Sequence, residues 1–461
     1  PETVALTRRL TLLGDSGSFV GGNRNPSALP LIAHDTGSAG ITASTTAPMT
    51  IRYLAVTHTL DGPAIEANGS DMVVEWFYVN RSGSVSSRIG RGISIANSPS
   101  GTRITNTVVD SVRGYGILLT SVSGAVIQSS TVRGVDSLAG LEEGAGIKAT
   151  GGSGNSLMSN TVRATQGPQI LARGSNQITV LGNNLAGRHQ LVRLVSVTGN
   201  GVFSNTFDLN QRIQEGDDGQ GSQSDGRSAL AIESSSSVTV SSNTFAEAAS
   251  AGTMDAVHLT QSRNLNLFRN VFTGGFVNIV SQRASFTVSQ TRSDSARAFL
   301  TASDADTITL EADTLRNIVG ILQNLGQGIG CVNVTGAASA LVVRNSVFEN
   351  CHPGAGAAIE MSSVGGSLDL SGSVFLGAHQ TAFAFSGRSV SARENTASGA
   401  GTDPLPRNNV VGMSATADTV ILVSNVVSGY RRGSGISAAG TNRTSLDRNS
   451  VTLNGVGMRL G

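Results

Sequence analysis

The chain has 461 residues and a formal net charge of +1, with acidic and basic residues scattered along its length. This balance gives no electrostatic reason to expect binding to nucleic acid or to an anionic membrane, and no apolar run reaches the length of a membrane-spanning helix. The many glycines (57), the few prolines (10) and the low aromatic content (4%) favour short strands joined by many turns.

The first distinctive segment is the chain's only concentration of aromatic residues, Tyr53 with Trp76, Phe77 and Tyr78. Tyr53 and Trp76 are about one repeat apart, which favours stacking of their rings. Aromatic faces also bind sugar rings, so Trp76 is a candidate glycan-binding residue. A hydrophobic cap over the first coils is the alternative interpretation.

From residue 106 onward a short motif, Asn followed by any residue and then a small apolar or aromatic one, returns about every 26 residues. Variant copies start at Ser130, Gln290, Asp313 and Gly372, where the gap would otherwise be double. The motif begins at Asn106, Asn160, Asn183, Asn205, Asn243, Asn270, Asn345, Asn395, Asn425 and Asn449. A fixed period of this size is typical of repeat architectures.

We interpret each repeat as one coil of an all-β fold, a right-handed parallel β-helix (solenoid) of about 16–17 coils. A solenoid grows in one dimension, so residues 1–461 are predicted to form a single domain. Asn suits a tight corner, because it tolerates the left-handed backbone region. Stacked coils place these amides roughly 4.8 Å apart, so the ten asparagines are predicted to form a hydrogen-bonded structural ladder.

Two loop insertions, near 135–145 and 213–227, lengthen their coils and occupy a similar phase of the repeat. Loops on a rigid scaffold often carry binding groups. The second loop is rich in acids and glycine, which suits Ca²⁺ binding or a pair of acids across a glycosidic bond. The candidate catalytic residues are Asp217, Asp218, His189, Arg188 and Arg212; the candidate binding residues are Glu215, Asp225, Glu142 and Glu143; and the candidate calcium ligands are Asp217, Asp218 and Asp225. A solvated loop that keeps the protein soluble is the alternative.

One segment departs from the strand pattern. Leu315, Ile318, Val319, Leu322 and Leu325 follow helical spacing, with an acid before them and a glycine after them that suit helix caps. A short helix near 314–325 is therefore predicted, with an irregular apolar coil as the alternative.

Cys331 and Cys351 are the only cysteines, and they fall in consecutive coils. A disulfide between adjacent coils is geometrically feasible and would fit an oxidising compartment. Two buried thiols that fill space are the alternative.

The chain ends on a strand-like stretch, Gly455 to Gly461. An uncovered terminal coil would expose unpaired backbone and core side chains. We therefore expect a neighbouring domain, a subunit or a second copy of the protein to cover at least one end of the β-helix.

The repeat, together with the opening Pro1-Glu2-Thr3-Val4 and the later Leu12-Leu13-Gly14, resembles the pectin-lyase-like right-handed β-helix superfamily, with coils similar to the NosD type. The polygalacturonase-like catalytic motifs of that superfamily do not match. Asn205-Thr206-Phe207 lacks the Asp, no Gly-His-Gly occurs, and Asp217-Asp218 is the only matching fragment. The resemblance implies the fold and leaves the activity open.

These features favour a secreted or cell-surface β-helical protein with a structural, adhesive or assembly role that contacts glycans. The alternative is a lyase or hydrolase of acidic polysaccharides, so the sequence does not decide whether the protein is an enzyme. The NosD-like coils also leave open a periplasmic partner of a metal or transport system. No cofactor other than calcium is suggested.

Overall fold

The computed structural model describes most of the chain. The residues that it describes are 4–6, 11–13, 31–34, 39–44, 46–58, 62–80, 91–136, 144–187, 190–208, 228–247, 255–318, 321–322, 328–337, 339–351, 357–377, 381–399, 411–430 and 433–461. The chain divides into two compact units, Pro1–Thr239 and Val240–Gly461, each of which consists of β-strands.

Strands in the first unit are short, as expected where β-branched residues alternate with turn residues. They are β1 (Val4–Leu6), β2 (Thr11–Leu13), β3 (Leu31–His34), β4 (Ile41–Ala43), β5 (Met49–His58), β6 (Ile65–Asn68), β7 (Met72–Asn80), β8 (Ile93–Ala96), β9 (Arg103–Thr105), β10 (Val108–Arg113), β11 (Tyr115–Thr120), β12 (Val126–Gln128), β13 (Thr131–Asp136), β14 (Ala145–Thr150), β15 (Ser156–Met158), β16 (Thr161–Thr165), β17 (Ile170–Arg173), β18 (Asn176–Leu181), β19 (Asn184–Ala186), β20 (Val192–Val195), β21 (Thr198–Phe203), β22 (Thr206–Asp208) and β23 (Ser228–Glu233).

The remaining strands follow the same scheme, with longer ones toward the C-terminus. They are β24 (Thr239–Ser241), β25 (Thr244–Ala246), β26 (Asp255–Thr260), β27 (Leu265–Phe268), β28 (Val271–Thr273), β29 (Val277–Gln282), β30 (Phe286–Ser289), β31 (Arg292–Asp294), β32 (Ala298–Ser303), β33 (Thr307–Glu311), β34 (Thr314–Arg316), β35 (Ile321–Leu322), β36 (Gly328–Ile329), β37 (Val332–Thr335), β38 (Ala340–Arg344), β39 (Val347–Glu349), β40 (Ile359–Ser371), β41 (Val374–Leu376), β42 (Phe383–Arg393), β43 (Thr396–Ser398), β44 (Val411–Val423), β45 (Val426–Ser428), β46 (Ser434–Asp447), β47 (Ser450–Thr452) and β48 (Val456–Leu460).

Within each unit the strands other than β35 and β36 form three parallel ladders, because each pairs with the equivalent strand one coil later. In the first unit, the first ladder runs β1-β4-β6-β8-β11-β14-β17-β20-β23, the second β2-β5-β7-β9-β12-β15-β18-β21, and the third β3-β5-β7-β10-β13-β16-β19-β22. In the second unit they run β26-β29-β32-β37-β40-β42-β44-β46-β48, β27-β30-β33-β38-β40-β42-β44-β46 and β25-β28-β31-β34-β39-β41-β43-β45-β47. The predicted parallel β-helix is confirmed.

The core of each unit is built from columns of inward-facing apolar side chains. Ile127, Leu157 and Val180 occupy one such column in the second ladder, and each is 0% exposed. In the second unit the rings of Phe348 and Phe375 stack with centroids 4.7 Å apart. Burial of such columns supplies the main stabilisation, at roughly 25 cal/mol for each Å² of apolar surface removed from water.

The corner between the second and third ladders has a left-handed residue followed by a buried polar one. Register places Asn106 and Asn345 at the left-handed position, with φ of 51° and 50°. The buried positions of these coils belong to the next residues, Thr107 and Ser346. The predicted ladder is therefore wrong by one residue at Asn106 and Asn345, because the motif does not distinguish two adjacent positions that both favour Asn.

At the buried corner position, the backbone N–H donates to the side-chain oxygen one coil later in most of the described coils. Asn160 donates in this way to Asn183 at 2.9 Å, and Asn183 donates to Asn205 at 2.8 Å. Asn395 donates to Asn425 at 3.1 Å, and Asn425 donates to Asn449 at 3.0 Å. Side-chain amides of this column also donate to backbone carbonyls, so the polar groups of the buried corner are paired.

In the second unit the same column begins with Asn243, whose N–H donates to Asn270 at 3.1 Å. Hydroxyl and carboxyl side chains take the place of the amide in several coils. They are Thr107 and Ser130 in the first unit, and Thr291, Asp313, Ser346 and Ser373 in the second.

The short helix predicted near 314–325 is wrong for the described part of that segment. Thr314–Arg316 is a strand of the third ladder, and Thr314 pairs with Val347. Ile321–Leu322 pairs antiparallel with Gly328–Ile329 as a small hairpin. Pairing with the strands on either side fixes period-two burial at Leu315, and this tertiary constraint overrides the helical spacing.

Candidate functional site

Both predicted loop insertions join the third ladder to the first. The loop near 135–145 follows β13 and precedes β14, and the loop near 213–227 follows β22 and precedes β23. Strands β14, β17, β20 and β23 are consecutive in the first ladder, so the two loops enter it three coils apart. At roughly 4.8 Å for each coil, the entry points lie about 14 Å apart along the strand stack.

Most of the predicted site residues lie outside the described residues. They are Asp217, Asp218, His189, Arg188, Arg212, Glu215, Asp225, Glu142 and Glu143. Their proposed catalytic, binding and calcium-ligand roles stay predictions. Among the residues that the structure describes, no group of three or more His, Cys, Asp or Glu side chains is arranged to hold a metal ion.

The strands between the two loop entries carry charged side chains in two outward columns. Register aligns Lys148, Leu171, Arg193 and Ala231 in the first column. Leu171 and Ala231 are 0% and 2% exposed although they point outward by strand alternation. Neighbouring groups therefore cover these two positions, and Lys148 and Arg193 are the charged members of the column.

The second column contains Thr150, Arg173, Val195 and Glu233. Glu233 reaches diagonally to Arg193 and forms a two-point ion pair, with Nε–Oε1 of 2.9 Å and Nη2–Oε2 of 3.0 Å. Both side chains are mostly buried, at 21% and 29% exposure. A bidentate pair of this kind holds the guanidinium plane in one orientation.

An aromatic ring collects further positive charge at the start of this region. The Tyr115 ring centroid lies 5.6 Å from Lys148 Nζ and 5.3 Å from Arg91 Cζ. Tyr115 is in β11, whose register aligns it with Ala145 of β14. Cation–π contacts at this distance favour a cationic head over the ring.

We call the set Arg91, Tyr115, Lys148, Arg173 and Arg193 the basic face. Glu233 is the single carboxylate among the described residues of β11, β14, β17, β20 and β23, against three cations on the same strands. Guanidinium and ammonium groups on neighbouring strands suit a carboxylate or sulfate group on a ligand. The sequence alone does not single out these side chains, although they lie at alternate positions of strands that precede recognised corners.

Trp76 lies away from the basic face. Tyr53 and Trp76 occupy the corner between the second and third ladders in consecutive coils, with left-handed φ of 55° and 53°. The predicted one-coil separation of the two residues matches the register. Both side chains are half-buried, and a glycan-binding role for Trp76 stays a prediction.

Cys331 and Cys351 are both buried as free thiols. Burial raises the pKa of the Cys331 thiol well above its usual range, and a hydrogen bond with Cys351 is the second cause. The disulfide between them stays a prediction that thiol chemistry can test.

Residues 115–293 match the family model for a right-handed β-helix region. The match and the three ladders identify a right-handed parallel β-helix and fit the pectin-lyase-like superfamily. No curated protein matches the chain at a significant level. No helix in the described part of the chain is long and apolar enough to cross a membrane.

Several solved structures are similar to the chain at low identity. The enzymatically active domain of tailspike protein 2 from bacteriophage CBA120 is 11% identical, over 66% of this chain and 47% of its own, with a TM-score of 0.39. The periplasmic alginate epimerase AlgG is 11% identical, over 79% and 85%, with a TM-score of 0.33. Tailspike protein gp49 from Pseudomonas phage LKA1 is 11% identical, over 85% and 74%, with a TM-score of 0.25. The chain spans about half the length of the first of these.

Proposed function

We propose that this protein is an extracellular or cell-surface β-helical scaffold that contacts an acidic glycan through its basic face. The observation that carries the proposal is the presence of Lys148, Arg173 and Arg193 on successive strands of the first ladder between the two loop entries. A repeat of about 4.8 Å along the ladder is close to the length of one sugar residue, so charges on successive coils can meet successive acidic groups of a chain.

The ion pair between Arg193 and Glu233 supports binding at this face. Glu233 uses its carboxylate to orient the Arg193 guanidinium, so the direction of that positive group is fixed. Because Glu233 already holds the Arg193 side chain, this residue loses little conformational entropy when a ligand binds. The scaffold role rests on the stacked coils and on the buried polar corner that joins them.

Binding to a panel of uronate and neutral oligosaccharides tests the proposal. Arg193→Ala removes charge-assisted hydrogen bonds of roughly 1.5–3 kcal/mol, so we expect affinity for a uronate oligomer to fall about 10-fold or more. Arg163→Ala is the matched control, because Arg163 is exposed on the third ladder of the same unit. Equal affinities of the two variants would contradict the proposal.

The same incubation distinguishes binding from turnover. A scaffold leaves the oligosaccharide intact with or without Ca²⁺. New reducing ends or unsaturated ends, lost in Asp217→Ala and Asp218→Ala, would assign the protein to the polysaccharide lyases or hydrolases.

We also propose that a neighbouring domain or subunit covers the last coil of the second unit. Leu453, Val456 and Leu460 are 72%, 51% and 66% exposed there. Strand β48 pairs with β46, and the described residues supply no partner for its other edge. Sedimentation analysis that shows only monomers at all concentrations, with Leu460 still fully exposed to solvent, would count against such a cover.

A further inference from the structure

A recess lies on a different side of the first unit from the basic face, over the outer surface of the second ladder. It has a volume of about 540 Å³ and spans strands β5, β7, β9 and β12. Its polar lining consists mainly of Arg52, Glu75, Arg103, Asn106, Gln128 and Ser129, which we call the polar groove. The basic face is on the first ladder, so the two sites share no residue.

The charges in the polar groove are arranged so that one cation is left unpaired. Arg52 Nε lies 2.9 Å from Glu75 Oε2, and this ion pair neutralises both groups. Arg103 aligns with Val73 one coil away and is exposed. It has no ion pair or hydrogen-bond partner among the described residues, so the groove presents a free guanidinium beside a neutral pair.

Neutral hydrogen-bonding groups surround this guanidinium. The Asn106 and Gln128 side-chain amides line the groove and make no hydrogen bond within the described part of the chain. Asn106 and Ser129 are successive left-handed corner residues, with φ of 51° and 52°. Their backbone is fixed by the ladders on either side, so these groups are held in place before a ligand arrives.

This combination selects a particular chemistry. A guanidinium fork matches a carboxylate in a two-point geometry. Amide and hydroxyl groups match the hydroxyls of a sugar ring, and Glu75 retains lone pairs that can accept from such hydroxyls. The volume lies in the range of small-ligand sites, which is roughly 300–1,000 Å³.

We propose that the polar groove binds a carboxylated sugar, with Arg103 holding the carboxylate and Asn106 and Gln128 holding ring hydroxyls. This site is separate from the basic face and does not rest on the function proposed for that face. A protein with both sites would hold an acidic glycan at two points on one coil stack.

Calorimetric titration with digalacturonate tests the groove by itself when the basic face is silenced by Arg193→Gln. We expect digalacturonate still to bind to this variant, and Arg103→Gln added to it to weaken binding about 10-fold or more. Gln128→Ala should weaken binding by roughly 3-fold to 10-fold. Arg163→Gln is the matched control and should leave the affinity unchanged. Because Arg103 is exposed and unpaired, adding Arg103→Gln to the Arg193→Gln variant should leave its melting temperature unchanged.

The ligand class is tested with two further probes. Maltose, which has the hydroxyls without the carboxylate, should bind at least 10-fold more weakly than digalacturonate. Galactose 1-phosphate should not exceed digalacturonate, because the assignment is to a carboxylate. Equal binding of maltose, tighter binding of the phosphate, no binding to the Arg193→Gln parent, or no effect of Arg103→Gln would each overturn the proposal. The proposal for the basic face can fail separately. In that case Arg193→Gln and the wild-type protein would bind digalacturonate with the same affinity.

Discussion

The backbone N–H of Thr291 donates to the carboxyl Oδ1 of Asp313, one coil later, at 2.8 Å. Asp313 is 1% exposed and stands in the buried corner column, where other coils have Asn. Its second oxygen accepts from the Glu311 N–H at 3.1 Å. Burial raises the pKa of Asp313 from 3.8 to about 7, although these two backbone hydrogen bonds oppose the rise. The column thus contains one group that titrates near neutral pH.

Stability of the second unit should therefore depend on pH. The folded-state pKa of about 7 lies above the ordinary 3.8, so the folded chain binds the proton more tightly than the unfolded chain. The contribution of Asp313 to the free energy of unfolding is most favourable below about pH 4. It falls by about 4 kcal/mol in total as the pH rises, and it levels off above about pH 7. Asp313→Asn should remove this slope and stabilise the protein at pH 8.

Urea unfolding followed at a series of pH values measures this effect. Asp418→Asn is the control, because Asp418 is an exposed carboxylate in the same unit. An unchanged pH slope in Asp313→Asn would show that the carboxyl of Asp313 is not responsible.

Removal of one buried corner amide should destabilise the second unit strongly. Asn395 accepts from the Ser373 N–H at 2.9 Å, and its Nδ2 donates to Leu370 O at 3.1 Å. Asn395→Ala leaves both of these backbone groups unpaired, and each buried unpaired group costs about 1–3 kcal/mol. We expect a loss of about 2–5 kcal/mol in the free energy of unfolding, measured by denaturant titration.

Asn345→Gly is the matched control for the buried amide. Asn345 occupies the exposed left-handed position, and register places Gly372 at the same position one coil later. Glycine tolerates this φ, so the change should cost less than about 1 kcal/mol. Equal losses at Asn395 and Asn345 would mean that the corner column is not the source of stability.

Truncation of an apolar side chain in β41 should lower the stability strongly only where that side chain faces the core. Phe375 is 0% exposed and stacks on Phe348, whereas its neighbour Leu376 is 40% exposed. Phe375→Ala should lose about 3–5 kcal/mol, and Leu376→Ala less than about 1 kcal/mol. Thermal melts of both variants check this, and a similar shift for both would contradict the inward and outward assignment of β41.

The two cysteines should be slow to react in the folded protein. Burial and the hydrogen bond with Cys351 keep the Cys331 thiol protonated, and the thiolate is the reactive form. Mass spectrometry after iodoacetamide treatment should show little modification of the native protein and two additions once it is unfolded in urea. Rapid native labelling would contradict the buried position. If the protein takes up no label when it is unfolded without a reducing agent, the two cysteines form a disulfide.

The sequence predicted the fold because its period is a property of every coil. The asparagines at 160, 183, 205, 395 and 425 mark one corner of the stack, and the chain between them has room for three short strands. The sequence does not show which corner position Asn106 and Asn345 occupy, because Asn suits both the left-handed position and the buried position that accepts a hydrogen bond. Only the strand register separates the two.

The candidate site was harder to predict than the fold. Lys148, Arg173, Arg193 and Glu233 are far apart in sequence and meet only because β14, β17, β20 and β23 stack in register. Loop composition points instead to the acids of the inserted segments, which lie outside the described residues. The helical spacing near Leu315 failed for a related reason, since local periodicity cannot show which neighbouring strand a segment will pair with.

A crystal structure of the protein soaked with an oligogalacturonate tests the central claim most directly. We predict ligand density along β14, β17, β20 and β23, with a carboxylate within hydrogen-bonding distance of Arg193. A fully occupied oligosaccharide elsewhere on the protein, with the basic face empty, would contradict the account.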